Sequence, residues 1–271
     1  MSHAASGRVL ARVSGGFLVA RITTKTPAEL SKMRQAGRIV AEALELVREH
    51  AQPSVTTESL NSMVDELIQR RGARAAFKGY RGFPASICTS INEQVVHGIP
   101  GPVQLKDGDL LSTDVGVFFD GYAADAAITT EIGHCSPEAR RLISVTEEAL
   151  RAALEVVRAG VRLVEVSRAI EQVAVSAGFS VVRQYTGHGI GTALHEEPQV
   201  PNFVTPASER SCPTLPRGAT IAIEPMVNAG KHQIEVLSDG WTVVTKDRKL
   251  SAHFEHTVAV DREGPLILTM P

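Results

Sequence analysis

Apolar residues recur at helical spacing in two separate blocks of the chain. In the first, "EALELVREH" precedes "TTESLNSMVDELIQRRG", in which Leu60, Met63, Val64, Leu67 and Ile68 share one helical face and Gly72 supplies a C-terminal cap. In the second, "EALRAALEVVRAG" precedes "LVEVSRAIEQVAVSAG", which ends at Gly178, 106 residues after Gly72. Each helix pair leads into a common pattern, "LKDGDLLSTDVGV" at 105–117 and "LPRGATIAIEPMV" at 215–227. Both run Leu, two residues, Gly, then a strand-like apolar stretch with a carboxylate six places after the Gly. The two carboxylates, Asp114 and Glu224, stand 110 residues apart. So long a period does not describe a solenoid. It predicts a duplicated helix-helix-strand-strand unit whose halves form one α+β domain. Pseudo-symmetry would bring the matched strands together at the centre, and Asp114 and Glu224 with them.

The strand "DLLSTDVGVFFDGYAADAAITTEI" folds back at Asp120-Gly121, a two-residue hairpin signal between apolar runs. Pairing Phe119 with Tyr122 sets Val115 against Ala126, Gly116 against Asp125 and Asp114 against Ala127. Asp114 and Asp125 then become diagonal neighbours on one face, their Cα atoms roughly 7–8 Å apart. A solvated face would tolerate two acids, but these strands are otherwise almost wholly apolar and read as buried on both sides. Glu224 in "TIAIEPMV" and Glu255 in "AHFEHTVAV" interrupt similar runs. Carboxylates that share a buried space repel unless a cation lies between them, so a divalent metal site is the economical reading.

"TGHGIGTALHEEPQV", Thr186 to Val200, holds His188 and His195 in a glycine frame. Its glycines miss the dinucleotide fingerprint, and Pro198 and Gln199 break the zincin helix motif. His188 can add an imidazole to Asp114, Asp125, Glu224 and Glu255. Those donors are too many for one tetrahedral zinc and suit two metals that activate a water for attack. Mn, Fe(II), Co or Zn would accept the set.

Composition changes this picture little. The 271 residues are 43% hydrophobic and 21% charged, with a net charge of −2 that suggests neither nucleic acid nor an anionic membrane as partner. Cys88, Cys135 and Cys212 form no CxxC pair, which suits a reducing compartment. No apolar run approaches membrane-spanning length. Residues 1–25 carry Arg8, Arg12, Arg21 and Lys25 without an acid. A flexible extension over 1–24 ahead of a catalytic domain over 25–271 is expected, with an organelle-targeting segment as the alternative.

With these residues assembled, the chain resembles the type I methionine aminopeptidases of the pita-bread fold, metallopeptidase family M24. The motifs that carry the likeness are "GYRGFPASICTSINEQVVHGIP", "GDLLSTDVGV", "TGHGIGTALHEEPQVPNF", "IEPMVNAG" and "DGWTVVTKDRKLSAHFEHTVAV". The resemblance implies two pseudo-symmetric halves around a central antiparallel sheet. It implies two divalent metal ions on Asp114, Asp125, His188, Glu224 and Glu255, the five residues already singled out. It also makes His195 a hydrogen-bond donor to the substrate carbonyl, His97 a contact of the scissile amide and Glu224 a proton shuttle. Tyr80, Phe83, Cys88, His97 and Trp241 match the methionine pocket, beside His195. Phe77, Leu194, Phe83 and "YAADAA" depart from common family choices, which bears on pocket shape rather than on the chemistry.

The implied reaction is removal of the initiator methionine from nascent proteins with a small second residue. The implied setting is a cytoplasmic monomer acting on nascent N-termini at the ribosome, without reading nucleic acid or entering a membrane. Xaa-Pro aminopeptidases and prolidases share the fold, but they usually carry a further N-terminal domain, and "SINEQVVHGIP" favours the methionine enzymes. A binding module descended from the fold would be expected to have lost ligands. A dinuclear phosphatase would be expected to show a phosphate clamp and more histidines. "VTPASERSCPTLPRG" at 204–218 is expected to be a loop shaping the cleft mouth.

Overall fold

The computed structural model describes residues 22–270. Of the extension expected over 1–24, residues 1–21 lie outside the described part, and Thr24 forms an antiparallel bridge with Ala219. Four long helices stand where the periodicity places them: α1 Pro27–His50, α2 Thr57–Arg70, α3 Pro137–Val156 and α4 Leu163–Ser176. Hydroxyls of Thr26, Thr56 and Ser136 accept first-turn amides at the starts of α1, α2 and α3. At α1 the Glu29 carboxylate returns the bond to the Thr26 amide, 2.7 Å away, completing a capping box. Gly72 and Gly178, at φ 67° and 79°, turn the chain just beyond α2 and α4, where a side chain would be strained.

Among the described residues nine strands build the main sheet. In chain order its main members are β1 Ile87–Ile91, β2 Leu110–Phe119, β3 Tyr122–Glu131, β4 Gly187–Gly189, β5 Glu196–Val200 and β6 Thr220–Ile223. After β7 Met226–Asn228 and β8 Ser251–His253, which pair in a separate small sheet, comes β9 Glu255–Val260. Across the main sheet the order is β2, β3, β9, β6, β4, β5, all antiparallel, with β1 also paired to β2. The hairpin has the expected register throughout: Phe119 pairs with Tyr122, Gly116 with Asp125 and Asp114 with Ala127.

The duplication holds, with one correction. The strands matched in sequence, β2 and β6, are not the central pair; β3 and β9 are, and β2 and β6 flank them. The second half carries a long excursion through β7 and β8 between its two main strands, so Asp125 and Glu255 correspond at a longer spacing than Asp114 and Glu224. That unequal spacing hid their equivalence.

Strand alternation then decides which side chains face which layer. Leu111, Val115 and Val117 of β2, with Ala124 and Ala126 of β3, join Val40, Leu44, Leu60 and Val64 in the core under α1 and α2. Ile221, Ile223, Val258 and Val260 join Leu142, Leu150 and Ile170 under α3 and α4. Each large aliphatic side chain so buried contributes about 1.5–3 kcal/mol. The alternate residues Asp114, Asp125 and Glu255 therefore face away from the helices.

Candidate metal centre and cleft

The carboxylates and His188 meet on that opposite face, in a cavity of about 350 Å³. Asp114 and Glu255 both pair with Ala127, from β2 on one side and β9 on the other, while His188 pairs with Ala222 of β6. Ligand atoms of Asp125, His188 and Glu255 all lie within 4.8 Å of one another. His188 Nε2 stands 3.6 Å from Asp125 Oδ2 and 3.7 Å from Glu224 Oε1. Glycines make this approach possible: a Cβ at Gly187 would collide with the Ala222 carbonyl, and one at Gly189 with the Glu197 carbonyl.

The chemistry of these donors fits a divalent cation. His188 Nδ1 donates to the Gly189 carbonyl at 2.8 Å, leaving the Nε2 lone pair free toward the carboxylates. Burial lowers the His188 pKa to about 4, so the ring is neutral. Burial first, then mutual repulsion, raises Asp114, Glu224 and Glu255 well above the ordinary carboxylate range, and burial raises Asp125. Asp114 Oδ1 and Glu255 Oε1 are buried with no hydrogen-bond partner among the described residues. Repelling carboxylates with orphaned oxygens beside a neutral imidazole lone pair need positive charge. Around them, Thr257 donates to Asp125 Oδ1 at 3.1 Å and Asn202 donates to the Glu224 carbonyl at 3.0 Å.

The rest of the cavity is half apolar wall, half polar contact. Phe83 and Trp241 meet edge to face with centroids 5.1 Å apart, over the buried Cys88. Burial, then the nearby Asp114, raises the Cys88 thiol far enough to keep it neutral. His97 takes a left-handed backbone, φ 60°, between the rings of Tyr185 and Trp241. The Tyr80 hydroxyl lies 2.9 Å from His195 Nδ1, and the His195 ring stands 4.2 Å from that of His188. His195 opens onto the cleft, yet the protein around it, and then His188, lowers its pKa to about 4. Burial does the same for His97.

All eleven residues singled out in the sequence line this one cavity, together with Phe77 and Leu194. Arg81, Val96, Gln184, Tyr185, Thr186 and Gln199 line it too and were not anticipated. Tyr185 and Thr186 directly precede the "GHG" motif, so proximity could have found them. His253 was also missed: it is 2% exposed, with Nε2 3.8 Å from Glu224 Oε2. The 204–218 segment contributes nothing to the cavity. It carries a short helix, α5 Pro206–Arg210, and ties to α4 through Arg168–Glu209 and the Val204 amide on Glu171.

An antiparallel sheet backed by helices, with four carboxylates and an imidazole converging on its open face, defines a metal-dependent hydrolase of the pita-bread fold. Two residue pairs, Asp114 with Glu224 and Asp125 with Glu255, carry its internal symmetry. The chain belongs to metallopeptidase family M24, whose model matches residues 31–262. It is 48% identical to the methionine aminopeptidase of Clostridium perfringens over 249 residues, 92% of this chain and 99% of that protein. The crystal structure of methionine aminopeptidase from Rickettsia prowazekii superposes with a TM-score of 0.89 at 41% identity, covering 92% of this chain and all of that one. The prolidase of Pyrococcus furiosus, with a TM-score of 0.75 and 20% identity, shares the fold over 92% of this chain and 65% of its own. The likeness to methionine aminopeptidases drawn from the motifs thus extends over nearly the whole chain.

Proposed function

We propose that the chain removes the initiator methionine from nascent proteins whose second residue is small. The observation that carries this reading is the meeting, in one cavity, of the five metal-type donors with the apolar wall formed by Tyr80, Phe83, Cys88 and Trp241. Asp114, Asp125, His188, Glu224 and Glu255 would hold two divalent ions, Mn, Fe(II), Co or Zn. Ions held there would supply Lewis acidity toward the scissile carbonyl and ease deprotonation of the attacking water near neutral pH.

The chain's own groups do the rest. The methionine side chain lies against Phe83 and Trp241, with the neutral Cys88 thiol at its base. With the Tyr80 hydroxyl 2.9 Å from His195 Nδ1 and donating a hydrogen bond to it, the neutral ring would carry its proton on Nε2 and present it to the carbonyl oxygen as charge develops there. His97, neutral and pinned by two aromatic rings, contacts the scissile amide. Glu224 takes a proton from the attacking water and delivers it to the departing amine.

Nascent N-termini at the ribosome are the proposed substrates of a cytoplasmic monomer. No described helix is long and apolar enough to cross a membrane. The test is methionine release from Met-Ala-Ser by chelator-stripped protein, before and after each metal is returned, with an Xaa-Pro peptide in parallel. Metal-restored cleavage of the first peptide alone is expected. Cleavage of the proline peptide alone would keep the site and overturn the substrate.

A further inference from the structure

The third glycine of "GHGIG" and a lysine at the start of the fold point to a device behind the cleft. The loop from Ile190 to His195 joins β4 to β5 and carries two cavity residues, Leu194 and His195. Glu196, the first residue of β5, folds back beneath this loop. Its Oε1 accepts the amides of Thr192 at 2.9 Å and Ala193 at 3.3 Å, immediately ahead of Leu194 and His195. Its Oε2 accepts Lys25 Nζ at 2.7 Å and the Thr23 hydroxyl at 2.6 Å. The Lys25 and Glu196 side chains are only 5% and 12% exposed.

Lys25 is itself fixed. Its amide donates to the Gly218 carbonyl at 2.7 Å, and the adjoining Thr24 bridges to Ala219, just before β6. The side-chain tip packs against the bare backbone of Gly191, where a Cβ would displace Lys25 Cε and Glu196 Oε1. The start of the loop is tied to the sheet by the Ala123 amide on the Gly191 carbonyl at 2.7 Å, and a second anchor runs from the sheet through Lys25 to Glu196 and so to the backbone that presents His195.

We propose that Lys25 and Glu196 are positioning residues for catalysis, an ion pair that holds the 190–195 loop so that His195 faces the cleft. The claim rests on the role given to His195 above. A surface ion pair would contribute little, but this pair is shielded from water, and its carboxylate also takes two loop amides.

The test is a double-mutant cycle on methionine release from Met-Ala-Ser, combining Lys25→Met with His195→Ala. Lys25→Met should lower kcat about tenfold or more with KM little changed, since small displacements of a reacting geometry are costly. Lys25→Arg should restore most of the rate. In the His195→Ala background the same change should cost nothing further, because the pair acts through that histidine. An undiminished kcat, or a loss that multiplies with that of His195→Ala, would overturn the proposal. If Lys25→Met does not fold, Lys25→Met/Glu196→Gln, which leaves no lone buried charge, carries the same comparison. Imidazole NMR supplies a reading without turnover: Lys25→Met should broaden or split the His195 ring resonances and leave those of His50 unchanged. A chain that released no methionine would overturn the proposed function and leave the positioning claim to be decided by that spectrum.

Discussion

Replacing a proposed metal ligand should make the metal-free protein more stable. Asp125 is 3% exposed, and burial raises its pKa from 3.8 to about 6. A carboxyl whose folded pKa lies above its unfolded one is favoured by folding while protonated. The penalty is absent below about 3.8, builds as pH rises toward 6 and is complete above it. At about 1.4 kcal/mol per pKa unit, ionised Asp125 costs the stripped protein about 3 kcal/mol at pH 7.5 and about half that at pH 5. Asp125→Asn removes the charge and keeps an oxygen for the Thr257 hydroxyl, now 3.1 Å from Oδ1. Thermal unfolding of chelator-treated protein at pH 7.5 should therefore show a Tm higher by roughly 5–10 °C in Asp125→Asn, with a smaller gain at pH 5. With metal returned the order should reverse, because the unaltered protein gains binding energy that the variant has lost. A variant no more stable than the parent at pH 7.5 without metal, or equally stabilised at both pH values, would refute the electrostatic account of this centre.

Three further outcomes are expected. His195→Ala should lower kcat on Met-Ala-Ser by about 100-fold or more while metal affinity, measured by calorimetry, changes little; loss of metal would show that its role is misassigned. Gly189→Ala, whose methyl would collide with the Glu197 carbonyl, should destabilise the fold by about 1–3 kcal/mol in denaturant titrations and weaken metal binding through displacement of His188. Glu29, held at about 2 chiefly by the Thr26 amide, then by the Tyr122 hydroxyl, supports α1 fully above its ordinary 4.5 and loses that support as pH falls through about 2. The Tm difference between the parent and Glu29→Gln should thus be present at pH 6 and shrink toward pH 2; a constant difference would contradict the capping-box reading.

Much of the site was legible because its pattern is local. Hairpin register followed from Asp120-Gly121, and register alone put Asp114 and Asp125 on one face. Interruption of apolar strands by acids marked Glu224 and Glu255 for the same physical reason that now raises their pKa values. What stayed hidden depends on contacts distant in sequence. Lys25 and Glu196 meet across 171 residues, and nothing in either segment announces the other. His253 lies two residues before Glu255, but a break at Phe254 separates β8 from β9, so alternation along one strand could not place it. The central strand pair was misjudged because the two halves carry connections of unequal length.

If Asp114, Asp125, His188, Glu224 and Glu255 form one metal centre that cleaves after methionine, metal binding and methionine release rise and fall together. The measurement is a titration of the stripped protein with Mn, Fe(II), Co or Zn while bound metal per chain and methionine release from Met-Ala-Ser are followed in the same sample. Activity should rise with the metal bound, and both should vanish together in Asp114→Ala and Glu255→Ala while each variant stays folded by circular dichroism. Methionine release that persists in either variant, or without metal, would show that these side chains do not form the catalytic metal centre.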